Sequence, residues 1–205
     1  MSLVLSNYKI ILLYSKVLYD NILRAKYKGF IISNLNKRII FLDRDGVINH
    51  DYGYVSQIEK FEFIDGVFDA CRYFTDLGYE IIIITNQSGI GRGYFSINDF
   101  QELTNWMINE FKKNNVNILK VYHCPHAPDE NCDCRKPKIG MIQQSLNDFN
   151  IDLQNSWLIG DKKSDIETAI NANILNKILI SQDKNNSEFS NIASNLIDTI
   201  NIIKN

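Results

Sequence analysis

Short runs of apolar residues alternate with longer amphipathic segments along the chain from Arg38 onward. The apolar runs predict strands, and the amphipathic segments predict helices. The predicted strands span 38–42, 80–85, 118–122, 157–159 and 177–180, and the predicted helices span 67–77, 96–113, 139–150 and 164–173. Such an alternation is typical of a parallel sheet covered by helices. We therefore predict a Rossmann-like α/β fold of three layers with a mostly parallel central sheet.

Two of these segments carry further detail. Residues 80–85 read EIIIIT and are apolar on both faces, which is typical of a strand inside a parallel sheet. Ser96 followed by Asp99 indicates a helix start, with a capping hydroxyl and an acidic group in the first turn. One apolar stripe of that helix is predicted to be buried, formed by Phe100, Leu103, Met107 and Phe111.

Residues 1–37 differ from the rest of the chain. Apolar residues such as Leu5, Leu12 and Tyr19 can share one helical face, with Lys9 and Lys16 opposite. Two interpretations stand equally: an appended amphipathic helix, or an artefact of an over-extended start. We divide the chain into this N-terminal segment and a main domain over 38–205.

Composition narrows the class of protein. The chain has 205 residues, of which 45% are hydrophobic, and a formal net charge of −2. This suits one globular domain, and it argues against a nucleic-acid partner, which needs clustered cations. The apolar stretch 3–18 is interrupted by lysines and has no basic start. We expect a soluble cytoplasmic monomer without a membrane partner.

The first candidate for chemistry is the segment Asp43-Arg44-Asp45-Gly46-Val47, which follows the first strand. Open α/β folds build their sites at the carboxyl ends of strands. There Asp43 can attack a phosphoryl group, while Asp45 protonates the leaving alcohol and later activates water. Two carboxylates repel a phosphate unless a cation intervenes, so the pair requires a hard divalent ion, for which magnesium is the natural choice.

Later strand ends supply what this chemistry lacks. Thr85 ends the second strand and can donate a hydrogen bond to a phosphoryl oxygen. Further polar donors follow it directly: Asn86, Gln87 and Ser88. Arg135 and Lys136 offer positive charge, and Asp161, after the fourth strand, can complete the metal site. Only a loop, a helix and a strand fit between Asp43 and Thr85, so we predict no large cap domain.

Three of the four cysteines lie within a short loop, whereas Cys71 is predicted to be a core residue. The loop residues Cys124, His126, Cys132 and Cys134 match the tetrahedral ligand set of a closed, structural zinc site. Zinc would stabilise the fold of this loop and hold Arg135 and Lys136 in position beside the phosphate. His123 is expected to lie outside the ligand shell.

The segments LDRDG, ITNQSG, CRKP and GDKKSD follow one another in the order typical of the haloacid dehalogenase superfamily, which the chain resembles. Across 38–180 the resemblance narrows to heptose bisphosphate phosphatases of the histidinol-phosphatase-like subgroup, through 51–55, 85–90 and the cysteine loop. It implies removal of one phosphate from a heptose bisphosphate, a step toward the activated heptose of bacterial surface polysaccharides such as lipopolysaccharide.

The resemblance also implies roles for individual residues. Asp43 would be nucleophile and magnesium ligand, Asp45 would be acid/base and bind the metal through its backbone carbonyl, and Asp161 would be the third ligand. Thr85 and Lys136 would stabilise the transferring phosphoryl group. Substrate would be recognised by a wider set: Asp51, Tyr52, Gly53, Tyr54, Asn86, Gln87, Ser88, Arg135 and Lys162. Asp165 would orient its neighbours.

Other functions fit parts of the pattern. Histidinol-phosphate phosphatases share the motif order and a similar zinc loop, although 52–54 and 88–94 favour the heptose enzymes. A nucleic-acid 3′-phosphatase is also related, but this mildly acidic chain lacks the basic surface such an enzyme would need. A non-catalytic binding or scaffold module on the same fold is disfavoured by the intact Asp43, Asp45, Lys136 and Asp161.

Overall fold

The described chain builds one sheet of six parallel strands, seen in a computed structural model that describes residues 36–183 and 191–204. The strands are β1 (Ile39–Leu42), β2 (Glu80–Asn86), β3 (Ile118–Cys124), β4 (Trp157–Gly160), β5 (Asn176–Ile180) and β6 (Ile192–Ala193). Their order across the sheet is β3-β2-β1-β4-β5-β6. Every neighbouring pair is parallel, with Phe41 of β1 opposite Ile82 on one side and Leu158 on the other. The predicted fold class is confirmed.

Five helices connect these strands within the described ranges. They are α1 (Val67–Asp76), α2 (Ser88–Gly91), α3 (Ile97–Lys113), α4 (Gly140–Asp148) and α5 (Lys163–Asn171). Short 3₁₀ turns occur at Ile58–Lys60, Pro128–Glu130, Leu153–Asn155 and Ile197–Asn201. Between β1 and β2 the chain contains a loop, one such turn and α1, so no large cap domain is inserted there.

The alternation of side chains along the central strands builds two apolar cores. Successive residues of a strand point to opposite faces of the sheet. Ile40, Leu42, Ile81 and Ile83 accordingly join one fully buried cluster with α1 and α3. Their neighbours along the strands join the other cluster, with α4 and α5, and these are Ile39, Phe41, Ile82 and Ile84. Burial on both faces explains why these strands are continuous apolar runs.

The start of α3 follows from local hydrogen bonding. The Ser96 hydroxyl accepts a hydrogen bond from the Asp99 backbone amide at 3.1 Å, and the Asp99 carboxylate accepts one from the Ser96 amide at 2.7 Å. This reciprocal capping box satisfies two amides that a helix start otherwise leaves unpaired. The predicted stripe is buried as expected, at Phe100, Leu103, Met107 and Phe111.

Two short elements were not predicted from the sequence, and most of the N-terminal segment is not among the described residues. The short strand β6 and the single-turn helix α2 were not predicted. The N-terminal segment 1–37, for which an amphipathic helix was one of two interpretations, falls outside the described residues apart from its last two positions. There Lys37 forms a parallel bridge with Ile151. Within the described ranges, no helix has the length and apolar character needed to cross a membrane.

Candidate active site

The carboxyl ends of three adjacent strands carry the candidate catalytic groups. Asp43 follows β1, Thr85 lies at the end of β2, and Asp161 follows β4. Because β2, β1 and β4 are neighbours, motifs far apart in sequence meet at one edge of the sheet. A cavity of about 380 Å³ opens there. It is lined by Asp43, Asp45, Asp51, Gly53, Tyr54, Thr85, Asn86, Gln87, Ser88, Arg135, Lys136, Lys162 and Ser164.

Asp43 is held by hydrogen bonds and is only 5% exposed. Its Oδ1 accepts hydrogen bonds from the Arg44 backbone amide at 2.7 Å and from Lys136 Nζ at 2.9 Å. Burial raises the pKa of Asp43 to about 7, and the positive charge of Lys136 opposes that rise. Since both hydrogen bonds go to Oδ1, Oδ2 is the oxygen left for attack on an electrophile.

Lys136 is a buried cation between two carboxylates. Its Nζ lies 2.9 Å from Asp43 and 2.6 Å from Asp165, and it donates to the Ile84 carbonyl at 3.1 Å. Burial opposes the charge on Lys136, but the two carboxylates outweigh burial and raise its pKa. Lys136 therefore remains charged at neutral pH and can neutralise a phosphoryl group beside Asp43.

Asn86 clamps the backbone of Lys136. Its Oδ1 accepts from the Lys136 amide at 3.1 Å, and its Nδ2 donates to the Lys136 carbonyl at 3.3 Å. The end of β2 thus fixes the residue that carries the cation. This contact adds a positioning task to the substrate role that the resemblance implies for Asn86.

Asp45 is surrounded by hydrogen-bond donors. Oδ1 accepts from Arg44 Nη2 at 2.8 Å and Asn49 Nδ2 at 3.0 Å, and Oδ2 accepts from Gln87 Nε2 at 2.9 Å. Arg44 is 1% exposed, and the same nitrogen also donates to the Val55 carbonyl at 2.8 Å. Sequence reasoning missed Arg44 and Asn49, although a charged residue between two aspartates was a signal for the first.

Carboxylates also converge where a metal is expected. Oxygens of Asp43, Asp161 and Asp165 lie within 4.8 Å of one another. Asp161 Oδ1 is buried without a hydrogen-bond partner in the part of the chain that the structure describes. A buried, unpaired carboxylate oxygen is costly, and a hard cation would satisfy it. The residues present therefore fit a magnesium ion.

Two glycines make this crowding possible. Gly46 has φ +87°, and a Cβ there would come within 2.3 Å of Asp161 Oδ2. A Cβ on Gly160 would come within 2.2 Å of the Asp165 side chain. Asp165 is fully buried, and its Oδ2 accepts from the Lys162 amide at 3.0 Å at the start of α5. It thus caps that helix as well as pairing with Lys136.

Of the substrate residues predicted within 51–54, all but Tyr52 line the cavity. Asp51 forms an ion pair with Lys162 at 3.1 Å, and it also accepts from the Gly53 amide at 3.0 Å, which places this turn at the cavity. Tyr54 lines the cavity and packs edge-to-face on Tyr94, with ring centroids 4.7 Å apart. Tyr52 is not among the lining residues, since its hydroxyl donates to Glu62 at 2.5 Å on the exposed side.

Arg135 brings a second cation to the cavity. Its Nη1 is buried and finds no hydrogen-bond acceptor within the described ranges. An unpaired guanidinium N–H is costly unless an anion binds it, and a phosphate oxygen is a suitable acceptor. Ser164, which the sequence reasoning did not single out, also lines this cavity within the GDKKSD segment.

The cysteine loop closes on itself as a ligand cluster. His126 Nδ1 lies 3.2 Å from Cys134 Sγ and 3.6 Å from Cys124 Sγ, and Cys132 Sγ lies 3.4 Å from Cys124 Sγ. Sulfur ligands of tetrahedral zinc are about 3.8 Å apart when each Zn–S bond is about 2.3 Å. The residues therefore fit a zinc ion. His123 lies outside this cluster and packs on Phe100.

A buried aspartate that is fixed by a lysine, with two further aspartates at the same sheet edge, is the arrangement expected of a haloacid dehalogenase phosphatase. The fold and the site together define a protein of that class. Over residues 38–202 the chain also matches the family model described as polynucleotide kinase 3 phosphatase. Within that class, the chain belongs to the D-glycero-D-manno-heptose-1,7-bisphosphate 7-phosphatase family.

Two curated relatives carry this assignment. A Campylobacter jejuni protein named D-glycero-alpha-D-manno-heptose-1,7-bisphosphate 7-phosphatase is 46% identical over 83% of this chain and 98% of its own. A Helicobacter pylori protein named for the beta anomer is 48% identical over 73% of this chain and 87% of its own. The family resemblance predicted from the motifs is confirmed.

A solved structure of a heptose bisphosphate phosphatase also resembles this chain. The D,D-heptose 1,7-bisphosphate phosphatase from B. bronchiseptica, described as complexed with magnesium and phosphate, superposes with a TM-score of 0.72 at 25% identity. The match covers 80% of this chain and 97% of that one.

Proposed function

We propose that this protein removes the C7 phosphate of D-glycero-D-manno-heptose 1,7-bisphosphate through an aspartyl-phosphate intermediate on Asp43. The observation that carries the proposal is the buried Asp43 carboxylate, whose Oδ1 is fixed by Lys136 at 2.9 Å inside a cavity that also contains Arg135. Near full-length similarity to enzymes named for this reaction supports the substrate.

The reaction follows from the two aspartates. Asp43 Oδ2 attacks phosphorus, the bond from phosphorus to the C7 oxygen breaks, and Asp45 gives its proton to that oxygen to form the sugar hydroxyl. Asp45 then takes a proton from water as the water attacks the aspartyl phosphate. This second step releases inorganic phosphate and restores Asp43. Thr85 and Lys136 bind the phosphoryl oxygens throughout, because both line the cavity beside Asp43.

The second phosphate of the substrate needs its own counter-charge. Arg135 and Lys162 line the cavity, and Arg135 retains the unpartnered buried nitrogen described above. We assign these two cations to substrate recognition, with Tyr54 offering an aromatic surface to the sugar. A cavity of about 380 Å³ accommodates a phosphorylated monosaccharide more readily than a folded macromolecule.

Magnesium fits the same site through Asp43, Asp161 and the Asp45 backbone carbonyl. When bound it supplies positive charge that favours the ionised form of Asp43 and screens the phosphate from the carboxylates. Without such a cation, burial holds the Asp43 pKa near neutrality, at about 7. We therefore expect activity to disappear in EDTA and to return when magnesium is added in excess.

The decisive experiment compares phosphate release in magnesium from four substrates. These are the α and β anomers of heptose 1,7-bisphosphate, histidinol phosphate and a 3′-phosphorylated oligonucleotide. We expect kcat/KM to be highest for one heptose anomer. Both anomers must be assayed because one relative is named for the alpha anomer and another for the beta anomer. A higher kcat/KM for histidinol phosphate or the oligonucleotide would overturn the substrate, and no release from any of the four would overturn the enzyme assignment.

A structural zinc ion is the second part of the proposal. Its ligands would be Cys124, His126, Cys132 and Cys134, which leave no open position for chemistry. The loop ends at Arg135 and Lys136, so zinc would hold the phosphate-binding cations in place without contacting substrate. The backbone N–H of Gln87 donates a hydrogen bond to the Cys124 carbonyl at 2.8 Å, which connects the same loop to the end of β2.

Replacing Cys132 with Ser is expected to release zinc and lower kcat/KM by roughly tenfold or more, because loss of a ligand loosens the cations beside it. Zinc content by elemental analysis and phosphate release measure the two effects. The control is Asp133→Ser, a change at an exposed, neighbouring position outside the ligand set, which should retain zinc. Full activity in protein verified to be zinc-free would contradict the structural role.

A further inference from the structure

Gln87 connects two groups that the reaction uses. It lies between β2 and α2 and is 4% exposed. Its amide nitrogen donates to Asp45 Oδ2 at 2.9 Å and to Thr85 Oγ1 at 2.9 Å. A primary amide has two N–H groups, so both are used within the protein and neither is left to donate to a substrate.

The contact with Asp45 selects one oxygen of its carboxylate. Arg44 and Asn49 both donate to Oδ1, which fills the two lone pairs of that atom. Oδ2 accepts only the hydrogen bond from Gln87 among the contacts of the described chain, so it retains one lone pair. The proton transferred to the leaving oxygen therefore resides on Oδ2, and Gln87 determines where that oxygen points.

The contact with Thr85 selects the direction of a hydroxyl. Thr85 is 1% exposed and accepts the Gln87 N–H, so its own hydrogen must point elsewhere. Because Thr85 lines the cavity, its O–H is available to a phosphoryl oxygen. One side chain thus orients the proton donor for the leaving group and the hydrogen-bond donor for the phosphoryl group.

We propose that Gln87 is a positioning residue that aligns Asp45 Oδ2 with the leaving oxygen and directs the Thr85 hydroxyl to the phosphoryl group. This assignment rests on the proposed function, and it replaces substrate contact as the role of the Gln87 side chain. Alignment of a general acid matters most when the leaving alkoxide is strongly basic, because such an oxygen cannot depart without a proton.

The test compares 4-nitrobenzyl phosphate with 4-nitrophenyl phosphate, two esters of similar size. The first has a strongly basic alkoxide leaving group and the second a stable phenolate. Single-turnover measurements with enzyme in excess isolate phosphoryl transfer to Asp43 and detect weak substrates. We expect Gln87→Met to lower kcat/KM for the benzyl ester by about 100-fold and for the phenyl ester by less than about tenfold. The smaller loss reflects the Thr85 contact alone.

Gln87→Glu keeps the shape of the side chain but cannot donate a hydrogen bond when ionised, so it should lose at least as much on the benzyl ester. Gln143→Met, the same change on the exposed face of α4, is the matched control and should have no effect. Equal losses on the two esters, or wild-type rates in Gln87→Glu, would overturn the positioning role while leaving the phosphatase intact. A wild-type chain inactive on both esters and on the heptose bisphosphate would overturn the proposed function and this assignment together.

Discussion

Replacing Asp43 with Asn is expected to reduce phosphate release from heptose 1,7-bisphosphate by about 10⁴-fold or more, because an amide oxygen cannot form the acyl phosphate. Acid quenching during turnover, followed by mass spectrometry, should show one added phosphoryl group on Asp43 in the wild-type chain. The same experiment on the variant should show no such adduct.

The variant should fold, and this makes the result interpretable. Lys136 loses one carboxylate partner at 2.9 Å but retains Asp165 at 2.6 Å, so the buried cation still has a counter-charge. Asp76→Asn, at an exposed position at the end of α1, is the control for loss of one negative charge. Turnover close to that of the wild type in Asp43→Asn would refute a covalent mechanism on this residue.

Replacing Lys136 with Met is expected to lower both stability and activity. It leaves Asp43 and Asp165 buried without their shared cation, and breaking a buried ion pair costs about 3–5 kcal/mol. The free energy of unfolding in urea at pH 7 measures this loss. Phosphate release should also fall by about 10³-fold, since a preorganised charge beside the phosphoryl group is removed.

The double variant Lys136→Met with Asp165→Asn separates these two effects. Neutralising Asp165, which is fully buried, removes one of the two uncompensated carboxylates and should recover part of the lost free energy of unfolding. Activity should remain as low as in the single variant, because the phosphate still lacks Lys136. A Lys136→Met protein as stable as the wild type would show that the buried lysine contributes nothing net to folding.

Much of the fold was predictable because its signals are local. Residues 81–84 are isoleucine at every position, and this part of β2 is indeed buried on both faces between β3 and β1. Ser96 and Asp99 form the capping box that their spacing predicted. The strand β6 has two residues and the helix α2 has four, so neither is long enough for hydrophobic periodicity to indicate it.

The candidate site was predictable for a related reason. Asp43, Thr85 and Asp161 each stand at the end of an apolar run, and parallel strands place their carboxyl ends at one edge of the sheet. The positions of the strand ends are therefore enough to predict that these three residues lie close together. The order of the strands, which determines which ends are adjacent, depends on how the helices cross the sheet.

The sequence by itself determined the fold class, and it predicted the nucleophile, its acid/base partner and the cysteine ligand set. Only the tertiary structure decided what each polar side chain faces. Asn86 and Gln87 both read as substrate donors in the sequence, yet their amides bind Lys136, Asp45 and Thr85. The physical reason is that a hydrogen bond depends on distance and direction between groups from different strands, and neither quantity is encoded in the residues on either side of a motif.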